Sequence, residues 1–118
     1  MSTTLHTIGM CALWVAMGWP AIGSETLAVR ASPTSGFAPS DVVVQALIEP
    51  DARNRALSFV VESPRFYASS MVELPGERAP RLKDVRFRML PAGSYEVRVT
   101  LLGTEGERGR VVRGVNLW

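Results

Sequence analysis

Apolar residues occupy every second position through four separate stretches of this chain. In Asp41–Glu49, Val42, Val44, Ala46 and Ile48 fall on one face, and Val43, Gln45, Leu47 and Glu49 on the other. In Ala56–Glu62, Leu57, Phe59 and Val61 share a face. Lys83–Leu90 sets Val85, Phe87 and Met89 against Asp84, Arg86 and Arg88. Tyr95–Leu102 sets Tyr95, Val97, Val99 and Leu101 against Glu96, Arg98 and Thr100. Successive side chains of a strand point to opposite faces, so this spacing predicts strands with one buried face each. The richness in Val and Ile fits the same conformation, because branched side chains suit a pleated, half-buried surface. Beyond Ser24 no stretch sustains a 3.6-residue period over the length of a helix.

Three further strands complete the pattern. Leu27–Ala31 is expected to be a first, edge strand, Phe66–Leu74 a less regular fourth, and Arg110–Leu117 a seventh. Turn formers separate them: Ser32–Ser40 with Pro33 and Pro39, then Pro50–Asn54, Pro75–Pro80, Pro91–Gly93 and Gly103–Glu107. Proline lacks the amide that an interior strand must donate, so these segments are connections. Seven short strands so spaced predict a two-sheet antiparallel β-sandwich. A small closed barrel shares the same alternation and is the alternative.

From Met1 to Ser24 the chain contains no Asp, Glu, Lys or Arg. The apolar run in this segment, Ile8–Trp19, is shorter than the roughly 20 residues of a spanning helix but matches the core of a signal peptide. Pro20 ends the helix, and Ala21-Ile22-Gly23 offers small residues for cleavage after Gly23. The segment before the run, Ser2–Thr7, lacks the usual Lys or Arg, so an uncleaved anchor and a chain without export stand as alternatives. Cys11, the only cysteine, follows Met10 and precedes most of the apolar run, which argues against lipidation. The expected division is a signal peptide helix over residues 1–23 and one domain over 24–118. The expected location is periplasmic or secreted, with membrane contact only through an uncleaved leader.

The stretch Leu90-Pro91-Ala92-Gly93-Ser94-Tyr95-Glu96-Val97-Arg98-Val99 resembles the E–F corner of immunoglobulin-like and fibronectin type III-like sandwiches. The resemblance implies that Gly93 permits the tight corner and that the Tyr95 hydroxyl bonds back to the corner backbone. Val97 stands where antibody domains carry a cysteine, so the likeness is to the wider bacterial class. Phe37-Ala38-Pro39-Ser40-Asp41-Val42, Asn54-Arg55-Ala56-Leu57 and Phe66-Tyr67-Ala68-Ser69-Ser70 extend it to small exported immunoglobulin-like domains of bacterial envelopes. The implied fold is a seven-stranded antiparallel immunoglobulin-like sandwich. These are scaffold motifs, so the resemblance implies a fold and leaves activity to the side chains.

His6 is the only histidine, and with Cys11 it lies in the leader. Residues 24–118 therefore cannot build a Ser-His-Asp triad, a Cys-His nucleophile or a zinc site on His or Cys. No phosphate-binding glycine motif is present. The acids fall mainly on turns and outward strand positions, and neither Asp51 nor Glu105 with Glu107 has the dense spacing of a calcium loop. No enzyme, no cofactor and no catalytic or metal residues are expected. The net charge is +2, with the 13 basic and 11 acidic residues interspersed, which gives no nucleic-acid footprint. Arg86, Arg88, Arg98, Arg110 and Arg113 read as solubilising charges on exposed strands.

Candidate binding residues are Arg65, Phe66 and Tyr67, because adjacent strand residues face opposite ways and Tyr with Arg is typical of interface anchors. Trp118 is a fourth, at the C-terminus. The expected function is an exported, non-enzymatic module that contacts protein at the bacterial cell envelope. The alternatives are a carbohydrate or cell-wall binding module, which needs coplanar aromatic rings on one face, and a periplasmic inhibitor or accessory protein. The partner class is an envelope protein or polysaccharide, with no nucleic acid.

Overall fold

The computed structural model describes the backbone of residues 23 and 24 and the whole of 26–118. The signal peptide helix expected before Gly23 lies outside the described residues. In chain order the strands are β1 (Gly23–Ser24), β2 (Leu27–Ser32), β3 (Ser35–Gly36), β4 (Ser40–Ile48), β5 (Asn54–Ser63), β6 (Phe66–Glu73), β7 (Leu82–Leu90), β8 (Gly93–Gly103) and β9 (Gly106–Leu117). A single 3-10 turn, Gly76–Arg78, lies between β6 and β7. The seven long strands are those the alternation predicts. β1 and β3 are two-residue additions.

They form two sheets, β1-β2-β4-β7 and β3-β9-β8-β5-β6. All pairings are antiparallel except β3 with β9, where Ser35 and Gly36 run parallel to Asn116 and Leu117. Among the described residues β6 pairs only with β5 and β7 only with β4, so the sheets stay open along that side and the molecule is a sandwich, not a closed barrel. β6 extends the larger sheet instead of crossing beside β7, where the constant-type immunoglobulin order would put it. Among the described residues no helix is long and apolar enough to cross a membrane.

The core lies where the period-two faces meet. Val42, Val44, Ala46 and Ile48 of β4, with Leu27 and Val29 of β2, pack against Leu57, Phe59 and Val61 of β5 and Val97, Val99 and Leu101 of β8. Area removed from water is the main stabilising term here, about 1.5–3 kcal/mol for each large side chain fully buried.

Three expectations are corrected. β2 is not an edge strand, because Ser24 and Gly23 pair with Leu27 and Ala28 on its outer side. Met89 is exposed, not inward, and Leu90 is buried in its place. The register explains this: Val42 faces Phe87 but Ser40 faces Leu90, so β7 carries one extra residue opposite Asp41. That bulge breaks the alternation, and Met89 takes a left-handed φ of 55°. Arg113, expected among the outward charges, occupies an inward position between buried Val111 and Val115. Its guanidinium reaches across to the Val29 carbonyl at 2.8 Å and joins the two sheets along the β2–β9 side. An inward charge is a known defence of a sheet edge.

Candidate functional site

The residues singled out from the sequence gather at one end of the five-stranded sheet. Across that end the chain presents, in strand order, β3, the C-terminus of β9, the start of β8, the end of β5 and the start of β6. Neighbouring strands are about 4.8 Å apart, so the row is roughly 20 Å wide. Phe37 and Trp118 stand at one side, Arg65, Phe66 and Tyr67 at the other, and the Pro91–Ser94 corner lies between them.

The corner is built around Tyr95, which is buried and donates its hydroxyl to the Pro91 carbonyl at 2.5 Å. Burial pushes this phenol above its usual range, and a hydrogen bond with Ser63 acts the other way. Phe66, half-buried, meets the Tyr95 ring edge-on at a centroid distance of 5.9 Å and 81°. Phe66 is therefore tied to the scaffold. Tyr67, on the opposite face of the same strand, is 61% exposed. Arg65 is also exposed, in the turn between β5 and β6. A shallow hollow separates that turn from the corner, lined by Ser63, Pro64, Arg65, Ala92, Gly93 and Ser94.

Trp118 is pinned by its backbone although its ring stays outside. Its amide donates to the Gly36 carbonyl at 3.0 Å, and its carbonyl accepts the Ala38 amide at 2.8 Å. Phe37, flanked by those two contacts, packs edge-to-face on Trp118 with centroids 5.5 Å apart at 76°. The rings remain 76% and 59% exposed. Sequence reasoning did not single out Phe37 as a site residue. Its signal was there: a lone aromatic in the turn-rich Ser32–Ser40 segment, where no core demands one. The steep crossing of the two rings means that the pair does not form the flat platform expected of a sugar-stacking face.

The opposite end holds a polar cluster. Asp51 accepts hydrogen bonds from the Arg53 side chain at 2.9 and 3.0 Å and from the Arg53 amide at 2.8 Å. Arg108 adds an ion pair at 3.1 Å. The Arg53 hydrogen bonds, helped by the Arg108 charge and opposed by burial, hold the Asp51 carboxyl far below the usual carboxylate range. Arg108 also donates to the Oδ1 of fully buried Asn54, whose Nδ2 donates to the Glu49 carbonyl at 3.0 Å. These contacts satisfy the cluster internally and fix the β4–β5 connection. Among the described residues no three His, Cys, Asp or Glu side chains gather as a metal site would require.

No protein-family model matches the sequence, and no curated protein matches it. Solved structures do match in fold. A superoxide reductase (neelaredoxin) from Ignicoccus hospitalis superposes with a TM-score of 0.59 over 81% of this chain and 83% of that one, at 11% identity. The soluble domain of PmoD from Methylocystis sp. ATCC 49242 (Rockwell) matches at 0.54 and 10% identity, covering 84% of this chain and 98% of its own. The sulfur carrier protein SoxY from Chlorobium limicola f thiosulfatophilum matches at 0.54 and 16% identity, over 92% and 96%. The fold is the immunoglobulin-like sandwich. At these identities the likeness is one of architecture. It nonetheless corrects the expectation of a non-enzyme: a superoxide reductase is built on the same sandwich, so scaffold motifs give no ground for excluding activity.

Proposed function

We propose that this chain is an exported immunoglobulin-like module that makes protein–protein contact at the bacterial cell envelope, with residues 1–23 as its cleaved leader and residues 24–118 as the module. The observation that carries the reading is the Phe37–Trp118 pair. Two large aromatic rings are held outside the core by backbone hydrogen bonds on both sides of Trp118. Exposed rings on a fixed backbone lose little further freedom on binding and bury much apolar area, which is the profile of interface anchors. The charge-free segment Met1–Ser24, with its short apolar run, supports export.

The test expresses the full gene in a Gram-negative host, fractionates the cells and weighs the recovered protein by intact mass. Periplasmic protein cut after Gly23 agrees with the reading; intact cytosolic protein ends it. Cross-linking in envelope extract then compares wild type with Phe37→Ala and Trp118→Ala. A partner captured by wild type and lost from both variants supports contact at this end. Equal capture by all three sinks it.

A further inference from the structure

The edge of β6, unpaired among the described residues, offers a second interface, on a different observation from the aromatic end. Alternate residues of an edge strand direct N–H and C=O groups outward, where another strand can pair with them, so proteins normally protect such edges. Two other edges here are protected. β7 carries Lys83, Arg86 and Arg88 and the bulge opposite Asp41. β9 carries inward Arg113 and is partly covered by β3. β6 has no such device. It pairs with β5 in unbroken register from Phe66 to Glu73, and no charge or proline interrupts Phe66 to Val72. Its outer face presents Tyr67 and Met71, which are 61% and 60% exposed.

We propose that a second copy of this chain pairs with β6, antiparallel across a twofold axis centred on Ser69. A pairing in which the two residue numbers sum to an even value keeps inward residues opposite inward ones. Centring on Ser69 sets Tyr67 opposite Met71, Phe66 opposite Val72 and Ala68 opposite Ser70, and brings Arg65, in the turn just before the strand, beside Glu73, twice over. The charges select this register. Arg65 and Glu73 are both exposed, and neither side chain makes an ion pair or hydrogen bond among the described residues. The twofold joins each to its opposite on the other copy. Centring on Ser70 instead puts Arg65 beside Pro75, and centring on Ala68 puts it beside Met71, so neither brings the two charges together. An isologous contact of this kind closes on itself, which spares the edge from open-ended association. The two larger sheets become one continuous sheet, held by main-chain hydrogen bonds with side chains setting the register.

The test measures mass in solution by sedimentation, using protein recovered from the full gene. Wild type is expected to be a dimer in the micromolar range. Arg65→Glu and Glu73→Arg, each placing like charges together twice, are expected to raise the dimer dissociation constant by roughly tenfold or more. The double variant, which restores opposite charges, recovers the dimer. Met71→Lys puts a charge on an exposed position, leaves the monomer folded and abolishes the dimer. A monomeric wild type overturns the proposal. So does a dimer indifferent to these substitutions, or one that the double variant fails to restore. Failure here leaves the aromatic end untouched, because Phe37 and Trp118 lie across the sheet from β6.

Discussion

The Arg108 side chain lies so close over Gly103 that a Cβ at residue 103 would stand 2.5 Å from Arg108 Cδ and 3.0 Å from the Arg53 carbonyl oxygen. Gly103 therefore makes room for the arginine that holds Asn54 and Asp51. Gly103→Ala is expected to cost about 1–3 kcal/mol by forcing the stem aside. In a domain of this size each 1 kcal/mol lowers the melting temperature by about 4–8 °C. Calorimetry of the variant checks it; an unchanged melting temperature would show that the arginine moves freely.

Asn54→Ala removes both bonds of a fully buried amide and leaves the Glu49 carbonyl without its side-chain partner. The expected loss is about 2–3 kcal/mol. Denaturant unfolding measures it, and a loss below half a kcal/mol at this position would contradict the pairing described.

Asp51 gives a pH dependence. Its folded-state carboxyl titrates far below the usual carboxylate range because Arg53 and Arg108 favour the ionised form. Its contribution is fully present above the ordinary carboxylate value of about 4 and is lost as pH falls below that towards the folded value. Asp51→Asn is expected to make the acid limb of a stability–pH curve shallower than that of wild type. Parallel curves between pH 2 and pH 5 would refute this.

Met89 strains its backbone to keep a bond. Its amide donates to Asp41 Oδ1 at 2.9 Å while φ stands at 55°. Glycine adopts that angle at little cost, so Met89→Gly is expected to be neutral or stabilising by up to about 1 kcal/mol, the exposed side chain contributing little packing. Asp41→Ala removes the acceptor and is expected to destabilise by about 1 kcal/mol, whereas Asp41→Asn retains an acceptor oxygen and loses less. Equal effects of the two Asp41 variants would rule out the bond as the cause.

Much of this fold was legible because alternation and burial are the same fact seen twice. Val42, Val44, Ala46, Leu57, Phe59, Val61, Val97, Val99 and Leu101 are all buried where the period-two faces put them. The failures sit where the period breaks. An extra residue opposite Asp41 turns Met89 out, and nothing in Arg-Met-Leu-Pro announces a bulge. Arg113 occupies an inward position that its charge argues against, because a long stem lets the guanidinium find a carbonyl on the facing sheet. At the candidate site, the exposure of Tyr67 and Trp118 could be expected from residue type and position. The partner of Trp118 could not, since Phe37 lies in the first half of the chain and meets it only through the parallel β3–β9 pairing.

The Arg113–Val29 contact makes the molecule resemble a bound book. The β2–β9 side is the spine, stitched by that guanidinium, and β6 and β7 are the fore-edges of two leaves with no hydrogen bond or ion pair between them among the described residues. Leaves bound on one side open about the spine. Amide exchange by local opening therefore starts at the β6 and β7 edges and reaches the doubly paired central strands β4, β5 and β8 last. Arg113→Met would loosen that side, leaving the Thr26 hydroxyl on the Arg108 carbonyl as a second stitch, and narrow the difference.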